Sequence, residues 1–381
     1  MDYDKKSLEL HAKMKGKLEI ASKVPLETKD DLSVSYTPGV AAPCKEIAQN
    51  PENAYAYTVK GNFVAVVTDG SAVLGLGNIG ALAGLPVMEG KCLLFKKFGG
   101  VDAVPICLAT QDTEEIIAAV KAIAPTFGAI NLEDIAAPKC FEIEERLKKE
   151  LNIPVFHDDQ HGTAIVTLAG LINALKVVGK NMADARIVMS GIGAAGVAIA
   201  KLLLKYGAKN IIMVDRAGIL FRNRIDDMNS VKKEMSALTN YGNLKGNLAD
   251  AMNGADVFIG ISAPGLVEAE MVRSMANDAI IFAMANPIPE IMPDIALSSG
   301  ARVVATGRSD FPNQVNNALV FPGIFRGALD ARVQQITDDM KISAAIALAS
   351  LIPSPTPAKI IPSIFDEGVS QIISNSLFLN R

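Results

Sequence analysis

The sequence predicts an α/β protein: two parallel sheets covered by helices, the second sheet doubly wound, and a helical segment closing the chain. Two observations carry this. Short apolar, β-branched runs alternate with helical patterns along most of the chain, an order that builds parallel sheets. The chain also has 381 residues, half of them hydrophobic and a fifth charged, which exceeds one ordinary core and suits two.

Residues 63–67, 103–108, 127–131 and 153–156 read as strands of the first sheet, and 187–189, 211–214, 257–261, 280–284 and 303–305 as strands of the second. A helix beginning after His161 and closing at Gly179, a residue suited to a left-handed cap, marks the boundary. The expected domains are therefore 1–160, an N-terminal α/β unit; 161–325, the doubly wound unit; and 326–381, a helical segment packing back on the first. That last segment holds an Ala/Ile-rich run at 341–351, the proline-rich connector IPSPTPAKIIPS and a short final helix.

A net charge of −4 and a pI near 5.6 argue against a general nucleic-acid binder. Four cysteines without a CxxC pair give neither a zinc knuckle nor a disulfide framework. The first twenty residues interleave charged with apolar ones and lack a cleavable apolar core. The most apolar stretch, 342–352, stops at Pro353, so no bilayer span and no membrane partner is expected, and the protein is expected to be soluble and cytoplasmic.

The segment RIVMSGIGAAGVAIAKLLLKYGAKNIIMVDR is a strand, a GxGxxG turn, a helix and a second strand ending in an acid. Gly191 permits the tight turn, Gly193 lets a pyrophosphate approach the backbone, and Gly196 allows close helix–strand packing. Ala194 and Ala195 open the helix whose free N–H groups face the phosphates. This predicts a Rossmann-type dinucleotide-binding unit. Asp215 at the second strand end suits the adenine ribose and favours NAD, while Arg216 beside it leaves NADP open. Ser262, Asn286 and Thr306-Gly307 stand at further strand ends facing the expected crevice. Asn286-Pro287 reads equally as a plain turn.

Two acidic pairs each follow an apolar strand, Glu133-Asp134 after FGAINL and Asp158-Asp159 after IPVFH. Four carboxylates at strand ends repel one another and suit a hard divalent cation, Mg²⁺ or Mn²⁺, although an N-cap or a solvated turn uses the same residues. His157 and His161 beside them read as neutral donors around such a site.

In LAGLPVMEGKCLLFKKF, Lys91 falls at helical spacing with Val87, Met88, Leu94, Phe95 and Phe98, whereas Lys96 and Lys97 face away. A lysine turned into apolar surroundings is expected to have a lowered pKa and to serve as a base, unless Gly90 breaks the helix or an ion pair holds it. Tyr36 precedes a Thr-Pro-Gly turn.

Taken together, SYTPGVAAPC, VVTDGSAVLGLGNIG, GKCLLFKKFGGVDAVPICL, INLEDI, FHDDQHGTA, GIGAAG, FAMANP and NNALVFPGIFRGAL resemble the malic enzymes of the small bacterial and archaeal type, from about residue 36 to 325. The resemblance implies oxidative decarboxylation of L-malate to pyruvate and CO₂ with NAD(P) and a divalent metal, in a homodimer. The first domain would then be the substrate domain. Carried over, the metal ligands fall on Glu133, Asp134 and Asp159, the base on Lys91, its assisting acid on Asp158 and the proton donor on Tyr36. Asn286 and Asn317 become the amides that contact substrate. The implied chemistry has Lys91 taking the C2 hydroxyl proton as hydride leaves, the metal polarising the resulting ketone, and Tyr36 protonating the enolate carbon.

Two departures stand out. Ser71-Ala72 occupies the stretch where the large eukaryotic-type enzymes carry a carboxylate-binding arginine, and INLEDIAAPKCF differs from the more usual INLEDIKAPECF at Ala136 and Lys139. The second change is expected to alter surface charge near the site more than the chemistry. A malolactic-type relative acting on the same acid, or a dinucleotide-sensing regulatory protein on the same fold, remain the competing readings.

Overall fold

A computed structural model describes residues 2–73 and 75–380; Leu74, inside one of the phrases quoted above, lies outside them. Nine of its strands fall on the nine apolar runs. The first sheet comprises β1 (Phe63–Thr68), β2 (Asp102–Cys107), β3 (Ala129–Leu132) and β4 (Val155–His157), all parallel, in the order β2-β1-β3-β4. The second comprises β5 (Arg186–Ser190), β6 (Asn210–Asp215), β7 (Gly218–Ile219), β8 (Val257–Gly260), β9 (Ala279–Ala283) and β10 (Ala301–Thr306). Its order is β10-β9-β8-β5-β6-β7, parallel except for the antiparallel two-residue β7, which no periodicity in so short a segment announces.

Both sheets change direction next to their first strand. In the first sheet the chain steps to β2 on one side of β1 and then to β3 on the other; in the second, β6 lies on one side of β5 and β8 on the other. Connections diverge at such a point and leave a crevice at the carboxyl ends of the strands. Parallel pairing also puts every strand's carboxyl end on one edge. The residues after β1, β3 and β4 therefore share that edge, as do those after β5, β8 and β9.

The helix Asp158–Val178 joins the two sheets and closes at Gly179, which adopts the left-handed conformation (φ 65°). It starts four residues earlier than the spacing suggested, because Asp158 and Asp159 form its first turn rather than preceding it, with His157 at the cap. This helix is also long and apolar enough to cross a bilayer by length and composition, contrary to the expectation from residues 342–352. Of its apolar window, 67% is buried within the protein, where it packs against the helices Ala194–Tyr206 and Asp338–Ser350. One apolar cluster runs through it, from Val66 and Phe156 in the first sheet to Ile187 and Phe282 in the second.

The C-terminal helices Phe321–Ala331, Asp338–Ser350 and Val369–Ser376 pack on this junction. Phe321 and Phe325 meet Phe95 at ring-centroid distances of 4.7 and 5.0 Å. The buried amide of Asn173 in the central helix donates to the carbonyls of Ala349 and Ile360, both at 2.9 Å, tying the C-terminal segment down. Asn173→Ala would take the donor from the buried Ile360 carbonyl, at about 1–3 kcal/mol, while the Ala349 carbonyl keeps the Ile352 N–H. We expect a clear drop in thermal midpoint by calorimetry, with the secondary structure retained by circular dichroism.

Candidate functional site

The carboxyl edge of the first sheet collects four acids. β3 ends in Glu133-Asp134 and β4 leads through His157 into Asp158-Asp159, and Leu132 pairs directly with His157 across the ladder. One carboxylate oxygen from each of Glu133, Asp134 and Asp159 lies within 4.8 Å of the others. The loop is braced from below. Asp134 takes a left-handed backbone (φ 53°), a conformation that costs a non-glycine residue about 1 kcal/mol or more. Its N–H donates to Asp159 Oδ2 at 2.7 Å, and its carbonyl accepts from Ala72 N–H at 2.9 Å. Ser71 Oγ donates to Asp69 Oδ1 and accepts from Ala136 N–H. Ser71-Ala72 thus holds the acidic loop in place.

Burial raises the pKa of Glu133, Asp134 and Asp159, and for Glu133 and Asp134 the charge of Asp159 adds to the effect. Asp134 Oδ2 is buried without a hydrogen-bond partner among the described residues, as is Asp158 Oδ1. An oxygen-only donor set with excess negative charge and an orphaned carboxylate oxygen fits a hard divalent cation such as Mg²⁺ or Mn²⁺.

Lys91 enters from the helix Ala81–Gly99, which Gly90 does not break. Met88, Cys92 and Phe95 on its face are buried; Val87, grouped with them by spacing, is 39% exposed. Lys91 Nζ lies 2.5 Å from Asp158 Oδ2, 2.9 Å from Glu133 Oε1 and 3.4 Å from Asn317 Oδ1, and 4.7 Å from the centre of the Phe321 ring. The expected lowering of its pKa does not occur in this arrangement. Burial does disfavour the ammonium, but the charges of Asp158, Glu133 and Asp159 outweigh it and raise the pKa. Asp158 shows the complementary balance: burial pushes its carboxyl up to about 6 against the pull of Lys91.

The two histidines stand behind the acids. Glu144 accepts from the ring of His161 (2.8 Å), from Lys148 and from the backbone N–H of His157, and is held well below the carboxylate range although burial alone would raise it. Burial keeps His161 neutral, with its pKa lowered to about 4, and lowers that of His157 as well. Lys139 does more than alter surface charge. Its ammonium lies 2.5 Å from the buried Asp69 Oδ2 and donates to the Gln111 carbonyl, bracing the β1 and β2 loop ends. Tyr36 follows the helix Lys29–Ser35; the residue is 67% exposed, and among the described residues no hydrogen bond joins its hydroxyl to the acidic cluster.

In the second sheet, Gly191 (φ 115°) closes the turn after β5, where a Cβ would meet the Ile261 carbonyl at 2.7 Å. A Cβ on Gly196 would meet the Gly191 carbonyl at 2.1 Å. Gly193 caps the helix Ala194–Tyr206 with no side chain, which leaves the first N–H groups, including those of Ala194 and Ala195, facing the crevice. Ser262 meets Ser190 across the switch point, Oγ to Oγ at 2.9 Å. Asn286 lies nearby, its backbone carbonyl close to Gly75 of the first domain's loop, and its amide donates to Met284. Asp215 is not a free acceptor. Arg224 grips both its oxygens, one at 2.8 Å, and Lys232 reaches it at 2.8 Å, while Arg216 is exposed. Arg224, in the loop before the helix Ser230–Leu238, and Lys232, within it, belong to no motif that their spacing would single out.

Comparison with known proteins covers most of the chain. Residues 15–148 match the family model described as malic enzyme, N-terminal domain, and residues 160–375 the model described as malic enzyme, NAD binding domain. The chain is 59% identical to the NAD-dependent malic enzyme of Geobacillus stearothermophilus, over 95% of this chain and 76% of that one. It is 57% identical to the bifunctional malic/malolactic enzyme of Bacillus subtilis, over 99% and 92%. The NADP-dependent malic enzyme of Halomonas elongata is 50% identical over 96% and 86%. The crystal structure of the NAD-dependent malic enzyme from Thermotoga maritima superposes with a TM-score of 0.95 at 50% identity, over 97% and 98%.

Glu133, Asp134 and Asp159 carry more negative charge than the one Lys91 ammonium offsets, and an ion bound among them stabilises the fold. At a hundred times its Kd, such an ion contributes about 2.7 kcal/mol. Thermal melts should therefore show Mn²⁺ raising the midpoint of the parent protein and leaving Asp159→Asn unmoved. In EDTA the variant should melt above the parent, since one repelling charge is gone.

Proposed function

The chain belongs to the malic enzyme family, and on that premise we propose that it converts L-malate and NAD(P)⁺ to pyruvate, CO₂ and NAD(P)H with the help of a divalent metal. The observation that carries this reading is the convergence of Asp158, Glu133 and Asn317 on Lys91 beside the Glu133–Asp134–Asp159 group.

Glu133, Asp134 and Asp159 would hold Mg²⁺ or Mn²⁺, which supplies Lewis acidity where negative charge develops on the substrate. A dinucleotide held at the Gly191–Gly196 turn and the helix start behind it would supply the hydride acceptor. Were Glu133 and Asp159 engaged by a divalent ion, two of the three charges that hold Lys91 protonated would be offset, leaving Asp158 as the carboxylate that shares its proton. Lys91 Nζ then takes the C2 hydroxyl proton, held in aim by Asp158 Oδ2, and the Phe321 ring faces the ammonium that results. Asn317 and Asn286 offer amides to the malate carboxylates. Tyr36 delivers a proton to the carbon that loses CO₂.

Tyr36 belongs to an N-terminal arm that exposes Leu18, Ile20, Val24, Leu26, Leu32 and Val34. We propose that a second copy of the chain covers this arm in a homodimer. The working units are the substrate domain 1–160, the dinucleotide domain 161–325 and the helical segment 326–381. Asp215 keeps NAD as the expected cofactor. Arg224 and Lys232 neutralise its repulsion of a 2′-phosphate, so NADP is also accepted.

The malolactic reading is favoured by one observation, the bifunctional name of the 57%-identical relative. Absorbance at 340 nm with malate, Mn²⁺ and either cofactor separates the two: NAD(P)H accumulates with pyruvate in the proposed reaction, whereas lactate without net NAD(P)H refutes it. Lys91→Ala should lose about 10²–10⁴-fold in kcat while its affinity for NADH, read by fluorescence titration, is unchanged. Normal turnover by this variant would remove Lys91 as the base.

A further inference from the structure

We infer that Glu290 is a positioning residue for the dinucleotide crevice: its carboxylate sets the spacing of the loops after β8 and β9 through two backbone amides. The inference rests on the second domain binding NAD(P).

Glu290 follows Asn286 in FAMANPIPE, a stretch that reads from sequence as a turn, yet its side chain is wholly buried. Oε1 accepts from the Ser262 N–H at 2.9 Å and Oε2 from the Ala285 N–H at 3.0 Å, while its own carbonyl accepts from Val267 N–H at 3.0 Å. Among the described residues no cation forms an ion pair with it. Burying a carboxylate without a positive partner is costly, and here only backbone donors offset the cost. An apolar side chain would fill the space more cheaply but could not bridge the two amides.

The surroundings are built to admit the group. A Cβ on Gly260, the last residue of β8, would come within 2.4 Å of Glu290 Cδ, so the strand keeps glycine there. The bridge also reaches the glycine turn, because Ser262 contacts Ser190 at the end of β5. One carboxylate thereby links the carboxyl ends of β8 and β9 directly, and that of β5 through Ser262, all on the edge where the switch point opens. The residue after Ala285 is Asn286, so the anchored amide also sets where that side chain begins.

Glu290→Gln keeps size and shape but turns an N–H₂ toward one of the two amides. The chain has no tryptophan, which leaves NADH fluorescence free of indole background. For the full-length protein we expect the NADH Kd to rise about tenfold. The Mn²⁺ Kd by calorimetry should stay at the parental value, since the acidic cluster sits in the other sheet. An unchanged NADH Kd would overturn the inference. So would NADH and Mn²⁺ affinities that weaken together with the melting temperature, which is the pattern of a merely structural residue. Should Glu290→Gln fail to fold, Glu290→Asp, which keeps the charge but reaches one amide less well, is held to the same outcomes. Failure of the parent protein to bind NADH would instead refute the cofactor reading.

Discussion

Buried like charge organises this protein. Glu133, Asp134, Asp158 and Asp159 converge on one sheet edge with a single ammonium, Lys91, among them, and each acid is there because a parallel strand ends at that edge. Such a cluster is unfavourable by itself, as its raised carboxylate pKa values record. It persists because a strained loop, the Ser71 and Ala72 contacts and the Glu144 network behind His157 hold its backbone. Stability is given up locally for a site with strong affinity for positive charge, and the surrounding core supplies the rest.

The central helix transmits that arrangement to the second domain. Its first turn carries Asp158 and Asp159, and its body is the packing surface between the two sheets. A helix that is apolar nearly all round would suit a membrane in another context; here the helices on either side cover it. The stretch that leads into the C-terminal segment completes the site as well as the core, since Phe321 faces Lys91 and Asn317, four residues before it, reaches the same ammonium. The N-terminal acids, the helix joining the domains and a residue more than two hundred positions from Lys91 therefore form one structural unit.

Much of this was legible from the chain itself. The nine apolar runs became nine strands because β-branched runs buried on both faces have few alternatives. The glycine turn was legible because its spacing reflects backbone constraints that only glycine meets, and Gly191 and Gly196 show those constraints directly. The acidic pairs stood out because four carboxylates after apolar strands need a reason. Less visible were the true start of the central helix, where aspartates serve equally before a helix and within its first turn, and the two-residue β7, too short to have a period.

What the sequence determined alone was chemical inventory and local geometry: which strands form, where glycines permit a turn, and which acids, lysine and amides are available. What only the tertiary structure decided was the electrostatic state of those groups. Helical spacing put Lys91 on an apolar face and implied a lowered pKa, but the carboxylates that reverse the shift, Glu133 after β3 and Asp158 and Asp159 in the first turn of the central helix, lie far from it in sequence. Asp215 read as a free acceptor until Arg224 and Lys232 folded onto it, and Glu290 read as part of a turn until two strand ends closed around it. Charge interactions depend on distance through space and on burial, and neither is written in the order of residues along a chain.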